Sequence, residues 1–562
     1  MRDGSGVLGL LLCVGLTASA VEGVNVQSPA SRPAWTVLDF STARTIPVQY
    51  GGRTMPLDTL ARQIIWQVTG QRSWRGYDPV GLFLAWTWQG RAWREQPVVL
   101  VGFPALQKEL GLSADQKTFS YTALTQNDRL MRMASAGDED SQDTAKQQAV
   151  RQVMTRLELL GGVFAGWLLR IVPPTGDASG TWTTVDDPAL AILEPHKARL
   201  QSAVAKMRGG FLAGDPEVFE AGVRELHEAL GSLQTRAGLD ESALSLEVQY
   251  NRLRPFQWGW ILTCLAMAIG LVRLAVPSRV VTVAAWLPMV AGFAALTTGI
   301  AIRWRFGGHV PLATMYESLI FMGWGATAIG MVTVAIVRLR AALPIMAGVA
   351  TAILIVADAA PLDAMAGPLV PVLRNTMWLT YHVLTIMLAY SALALAAGVG
   401  HVQAVALVYR PNDTARAAQL GKLLYGMILV GCVFLTAGII SGAVWANQSW
   451  GRYWGWDPKE TWSLITLLGY MTVLHGRRVN WFGSFGMAAA SILCFQLVIM
   501  TYYGVNFVLG RGLHSYGFAS GGRIWVGLYV VLEIVFVLWM WGAHGGAART
   551  EPSLREKPAD GG

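Results

Sequence analysis

From about residue 258 onward the sequence is dominated by nine apolar segments, most of them near the length a helix needs to cross a bilayer. They run at about residues 258–276, 280–302, 316–337, 341–357, 378–399, 423–444, 462–474, 483–503 and 524–541. Inside hydrocarbon a backbone must satisfy its own polar groups, so segments of this kind fold as helices. Composition points the same way: 53% of the residues are hydrophobic and 14% are charged, against about a quarter charged in a soluble chain. The expected fold is an all-α polytopic membrane protein with about nine transmembrane helices, preceded by an exported α-rich domain. The seventh segment is short unless it extends through His475.

The N-terminal half reads differently. Residues 1–20 combine one arginine, an apolar run and Ala18-Ser19-Ala20, as a secretory signal would, an uncleaved anchor being the alternative. Residues 24–255 are polar and mixed, with no stretch long enough to span. Within them, residues 157–172 read as a buried core helix, and a turn at Gly51-Gly52 leads into helical periodicity. Residues 195–249 carry helically spaced Leu, Val and Phe. The polar run 134–148 reads as solvated loop or exposed helix and is a candidate point of division. The chain thus divides into 1–20, an extracytoplasmic domain at 24–255, a membrane domain at 256–543 and a cytoplasmic tail at 544–562.

Net charge is +8, but the basic residues lie mainly between apolar segments, which suits membrane orientation better than nucleic-acid binding. With the N-terminal domain outside, Arg273, Arg279, Arg338, Arg340, Arg410, Arg416, Lys422, Arg477 and Arg478 all fall on the inner side. Four cysteines, Cys13, Cys264, Cys432 and Cys494, sit in apolar runs. None has the spacing of a redox pair, a cysteine zinc site or a covalent haem attachment.

Between the sixth and seventh segments, residues 445–462 read WANQSWGRYWGWDPKETW, with five tryptophans, a tyrosine, two acids and two bases. Scattered interfacial aromatics would explain a few of these. The density and the interleaved charge suit a large, flat, anionic ligand, its face covered by rings and its carboxylates met by Arg452 or Lys459. Haem is such a ligand.

Trp450, Gly451, Tyr453, Trp454, Trp456, Asp457, Pro458, Lys459, Glu460, Thr461 and Trp462 together resemble the tryptophan-rich WWD signature of haem-handling membrane proteins. The ending Trp456-Asp457-Pro458-Lys459-Glu460-Thr461-Trp462 resembles the CcsA (ResC) branch, the System II cytochrome c synthases, over about residues 258–541. The resemblance implies haem b, non-covalently held in transit, on Trp450, Gly451, Arg452, Tyr453, Trp454, Trp456, Asp457, Glu460 and Trp462. It implies delivery across the membrane and thioether attachment to the Cys-x-x-Cys-His motif of an exported apocytochrome c. Implied partners are a ResB (CcsB)-like subunit and thiol-reducing proteins. The implied location is the bacterial cytoplasmic membrane, with the Trp-rich loop on the periplasmic side. A haem transporter or chaperone that forms no bond is the alternative.

Three histidines fit that reading. His382 and His514 fall on the same side as the Trp-rich loop. Each alone reads as an ordinary surface histidine, but together they can ligate iron from opposite faces of a macrocycle and match the family's paired external ligands. His475, before Gly476-Arg477-Arg478, reads from the residues as a helix-end histidine set against the dipole. By resemblance it is the inner-site histidine, whose companion comes from the ResB-like subunit. His309 reads as architecture or as a residue behind the ligands, His401 as lying at the inner end of a helix, and His196, His227 and His544 have no supporting context.

Overall fold

The computed structural model describes residues 33–135, 144–174, 180–187, 194–236, 239–360, 362, 364, 377–509 and 522–549. The proposed signal segment lies outside them.

After two 3₁₀ turns, Ala34–Val37 and Ala43–Thr45, strands β1 (Pro47–Tyr50) and β2 (Arg53–Pro56) form a hairpin. Gly51 and Gly52 turn it at φ 59° and 79°, the left-handed pair that two-residue hairpin turns favour. Helix α1 (Leu57–Thr69) follows and buries Leu57, Leu60, Ile64 and Val68, a helical stripe. Then come α2 (Pro79–Trp88), α3 (Gly90–Trp93), β3 (Pro97–Leu100), α4 (Pro104–Glu109), β4 (Thr118–Ser120), α5 (Tyr121–Thr125) and α6 (Asp128–Ser135). Strands β3 and β4 pair as a second hairpin. Three longer helices complete this half: α7 (Thr144–Phe164), α8 (Glu194–Ala213) and α9 (Pro216–Arg236). The region is α-rich as expected, with two small sheets that the sequence reading lacks.

One continuous apolar core runs from Trp35 to Leu233 and includes Leu130 and Val150. The polar run between those two residues therefore does not split the core, although 136–143 themselves lie outside the described residues. The expected core helix at 157–172 ends at Phe164, with Leu157, Leu160 and Val163 buried in that core. Val172 instead pairs with Thr183 in an isolated bridge.

Helices α10 (Glu241–Leu253) and α11 (Pro255–Ala275) lead into the membrane region. They are followed by α12 (Arg279–Gly307), α13 (Met315–Ile336), α14 (Ala342–Ala359), α15 (Met377–Tyr409) and α16 (Thr414–Trp450). Last come α17 (Pro458–Arg478), α18 (Ser484–Ile499), which continues as a π-helix over Met500–Leu509, and α19 (Arg523–Arg549). Among the described residues eight spans are long and apolar enough to cross a membrane, α10 and α11 counting as one. The seventh expected span, α17, is a helix of 21 residues but is not among them. Lys459 and Glu460 open it and His475, Arg477 and Arg478 close it, so its apolar stretch is the shortest of the set.

The helices alternate in direction, and the N-terminal region docks on one end of the bundle. There Arg72 reaches Asp358 at 2.5 Å and Arg305 reaches Asp240 at 2.6 Å. Arg53 forks onto the buried Glu247 at 2.9 and 2.7 Å, and Thr59 donates to the same carboxylate at 2.9 Å. Asn251 donates to Asp58 at 3.0 Å, and Arg44 and Arg62 pair with Asp58. Burial alone would raise the Asp58 pKa; Arg62, Arg44 and Asn251 outweigh it and hold the carboxyl below its ordinary value. Deeper in, Arg303 and Glu317, both buried, pair at 2.8 Å, and Arg303 Nη1 donates to the Ala364 carbonyl at 2.7 Å. Buried charges persist only when paired in this way.

Candidate functional site

The Trp-rich stretch is not a single loop. Trp445 through Trp450 are the last turns of α16, and Pro458 through Trp462 are the first turn of α17. Gly451 ends α16 at φ 72°, its N–H bonding the Asn447 carbonyl at 2.9 Å, as a left-handed C-terminal glycine does. Asp457 starts α17, accepting the Lys459 N–H at 3.0 Å. Glu460 answers by accepting the N–H groups of Asp457 at 3.2 Å and Gly455 at 2.7 Å. With Pro458 in the first turn this is a capping box.

The short connection between the helices is held taut. Arg452 Nη1 lies 3.8 Å from Glu460 Oε1 and passes so close over Gly455 that a Cβ there would sit 1.1 Å from it. Trp456 adopts φ 57°, a left-handed conformation costly for a bulky residue and concentrated at functional sites. The residue is 68% exposed and its ring meets Trp454 edge-on, with centroids 5.7 Å apart. Tyr453 is 60% exposed. Trp450 and Trp462 are half-buried. The result is a rigid ridge presenting apolar rings outward.

Beneath it lies a part the sequence reading assigned no role. Trp445 is 1% exposed and packs on Trp450 at 4.8 Å between centroids. Its other neighbour is His382, near the start of α15, stacked at 6.3 Å with 6° between the planes. His382 Nδ1 donates to the Gly438 carbonyl at 2.7 Å. A carbonyl can only accept, so the neutral imidazole keeps its proton on Nδ1 and its lone pair on Nε2, the arrangement of a metal-ligating histidine. Gly442 makes the approach possible, since a Cβ there would lie 2.6 Å from the imidazole ring. The signal was in the sequence: Gly438 and Gly442 are four apart, the small-residue spacing that lets membrane helices come close.

Lys459 completes the polar edge, its Nζ 3.4 Å from Asn506 Oδ1. Burial lowers the ammonium pKa to about 8, with the nearby Asp457 opposing that shift. His514 lies outside the described residues, so its expected place opposite His382 is not described. His475 sits in the last turn of α17, exposed, with Nδ1 donating to the Met471 carbonyl at 2.8 Å. At 1.5 Å per helical residue it stands about 22 Å from Glu460, at the other end of the helix from the Trp-rich ridge. His382 and His475 are therefore not brought together. His401 is held at both nitrogens, Nε2 by Glu533 at 2.8 Å and Nδ1 by the Ala397 carbonyl at 2.8 Å. Among the described residues no group of three His, Cys, Asp or Glu converges to hold a bare metal ion.

A family model described as cytochrome C assembly protein matches residues 312–514. The chain is 29% identical over 492 residues to protein NrfI of Wolinella succinogenes, covering 83% of this chain and 53% of that protein. It therefore spans about half the length of NrfI. It is 36% identical to the cytochrome c biogenesis protein CcsA of a Synechococcus species, over 40% of this chain and 81% of the relative. With CcsA of Parasynechococcus marenigrum it shares 34% identity, over 46% of this chain and 94% of the relative. A solved structure of cytochrome c heme lyase CcmF overlaps 53% of this chain and 50% of its own at 20% identity. Its TM-score of 0.34 is too low to carry an inference. At 36% and 34% identity over 81% and 94% of these two CcsA proteins, the chain belongs to the CcsA family of cytochrome c biogenesis proteins.

Proposed function

We propose that the Trp-rich ridge receives haem b as a substrate in transit and presents it for attachment to an exported apocytochrome c. The observation that carries this is the imidazole of His382, fixed through Nδ1 on the Gly438 carbonyl and stacked on Trp445 beneath the ridge. His514 is the second axial ligand. Trp450, Trp454, Trp456 and Trp462 with Tyr453 and the small Gly451 cover the ring face, and Arg452 and Lys459 meet its carboxylates. Asp457 and Glu460 act by holding the helix start and Arg452 in place.

Attachment then rests on positioning, since holding thiol and vinyl together turns an encounter into a local reaction. Each cysteine S–H adds across a vinyl C=C, forming one C–S and one C–H bond, with no net oxidation. The cysteines must arrive reduced, which is the role of thiol-reducing partners. His475, exposed at the far end of α17, serves an inner haem site completed by a histidine of a ResB-like subunit. The protein would lie in the bacterial cytoplasmic membrane, with the ridge and N-terminal domain on the periplasmic side. The basic ends at Arg338, Arg340, Arg410 and Arg477 support that orientation.

The test is absorption spectroscopy of purified variants, co-expressed with a ResB-like subunit. His382→Ala should lower retained haem by at least about tenfold, the smaller cost seen when a metal's supporting groups are lost, with partial recovery in imidazole. His475→Ala should lower the amount of haem but leave the spectrum of what remains unchanged. An unaltered spectrum and yield in His382→Ala would sink the axial role. A spectral change in His475→Ala matching that of His382→Ala would collapse the two levels into one.

A further inference from the structure

At the end of the bundle away from the Trp-rich ridge, the last turns of α13 and the first turns of α16 border an open groove of about 700 Å³. Its walls are hydrocarbon. Val332 and Ile336 are 60% and 74% exposed, and Leu423 and Met427 lie buried behind them. At its polar mouth stand Arg338, Lys422 and Gln419, all exposed. Among the described residues neither Arg338 nor Lys422 takes an ion-pair partner. The nearby Arg416 does take one, Asp413 at 3.8 Å.

What the lining lacks decides the ligand class. Among the described residues its lining has no aromatic ring, histidine, cysteine or carboxylate. A flat macrocycle would find neither a stacking face nor an axial ligand, and a cation would find no counter-charge. A flexible hydrocarbon chain ending in an anion meets both halves of the groove. The volume falls within the range of small-molecule sites.

We propose that this groove binds an anionic phospholipid, its acyl chains along Val332, Ile336 and Met427 and its phosphate between Arg338 and Lys422. The site lies apart from the ridge and does not depend on how haem is held there. Each basic group near an anionic lipid is worth about fivefold in affinity.

The experiment is native mass spectrometry of the full chain in detergent, titrated in parallel with phosphatidylglycerol and phosphatidylcholine. The wild-type protein should retain phosphatidylglycerol preferentially. The double variant Arg338→Gln/Lys422→Gln should lose about thirtyfold and fall to the level of phosphatidylcholine, whereas Arg338→Lys/Lys422→Arg should keep the preference. Gly426→Trp provides an independent arm: a Cβ at that lining glycine meets nothing within 4 Å, so the indole fills the groove and both lipids should be lost. Equal retention of the two lipids by the wild type, or retention untouched by both the double variant and Gly426→Trp, overturns the proposal. Displacement of phosphatidylglycerol by haem would assign the groove to haem instead. Displacement by inorganic phosphate alone would reduce it to an anion site without chains.

Discussion

At the end of the bundle that carries the N-terminal domain, a buried indole supports an imidazole and exposed rings project from a taut connection. At the opposite end the helices finish in arginine and lysine around a groove without a single ring. Both ends are amphipathic, but their rigidity differs. The ridge is fixed by the capping box, a left-handed tryptophan and an arginine laid over a glycine, as suits a rigid planar substrate. The groove offers exposed aliphatic side chains and cations without an ion-pair partner among the described residues, as would suit a flexible amphiphile. On the two proposals above, one bundle would sort two kinds of anionic, apolar molecule by the stiffness and aromaticity of its ends.

The largest effect that could break this comparison is all-or-none. If the ends face opposite sides of a membrane, an impermeant thiol reagent added to intact cells should label Tyr453→Cys and not Val479→Cys. Both positions are exposed, at 60% and 55%, so access and not burial decides the outcome. Labelling of Val479→Cys alone would place the ridge on a side where exported cytochromes cannot meet it, and labelling of both would put the two ends on one side and end the comparison.

Close packing gives a graded test. Gly442→Ala places a methyl 2.6 Å from the His382 imidazole, and overpacking of this kind costs about 1–3 kcal/mol. Gly426→Ala, in the groove, meets nothing within 4 Å and should gain up to about 1 kcal/mol from helix propensity. Thermal unfolding should move in opposite directions in the two variants, and only Gly442→Ala should shift the haem absorption bands. A spectrum unchanged in Gly442→Ala would mean that His382 is not held where its ligation requires.

Most of this architecture was legible because spanning helices leave a long, redundant signal. The exception is informative. Helix α17 forms, yet charges at both ends shorten its apolar part, and this is the segment that carries His475 at one end and the capping box at the other. The Trp-rich stretch was legible as a site but not in its parts. Asp457-Pro458-Lys459-Glu460 is a helix start readable from sequence, and Gly451 is a helix stop, so the division into two helix ends was available. The spacing of Gly438 and Gly442 marks a face of α16 for close approach, but that α15 is the partner, and that Trp445 meets His382 there, shows only when the two helices are laid together. The two hairpins of the N-terminal region escaped because strands of three or four residues show too few alternations to stand out beside α1. The unbroken core across the polar run 134–148 escaped because surface composition says nothing of what lies beneath it.

The smallest expected effect probes the polar edge of the ridge. Lys459 has an ammonium pKa lowered to about 8 by burial, with Asp457 opposing the shift. Below that pH it is charged and attracts a carboxylate; above it the attraction fades. A bound carboxylate raises the lysine pKa in turn, so affinity should begin to fall near pH 8 and level off somewhat higher. Asp457, Glu460, Arg452 and Asn506 face the same edge, but carboxylic acids, guanidines and amides do not titrate in this window. One half-exposed charge pair is worth at most about 1 kcal/mol, or about fivefold in affinity. Metal-free protoporphyrin is the suitable probe, because iron-bound hydroxide would confuse the alkaline range. Its binding, followed by tryptophan quenching, should weaken by that factor as pH rises through the window. Lys459→Arg should flatten the profile, and the dimethyl ester of protoporphyrin should show no slope with the wild-type protein. A slope that survives in Lys459→Arg would move carboxylate recognition away from this edge of the ridge and leave the rings and His382 as its only contribution to binding.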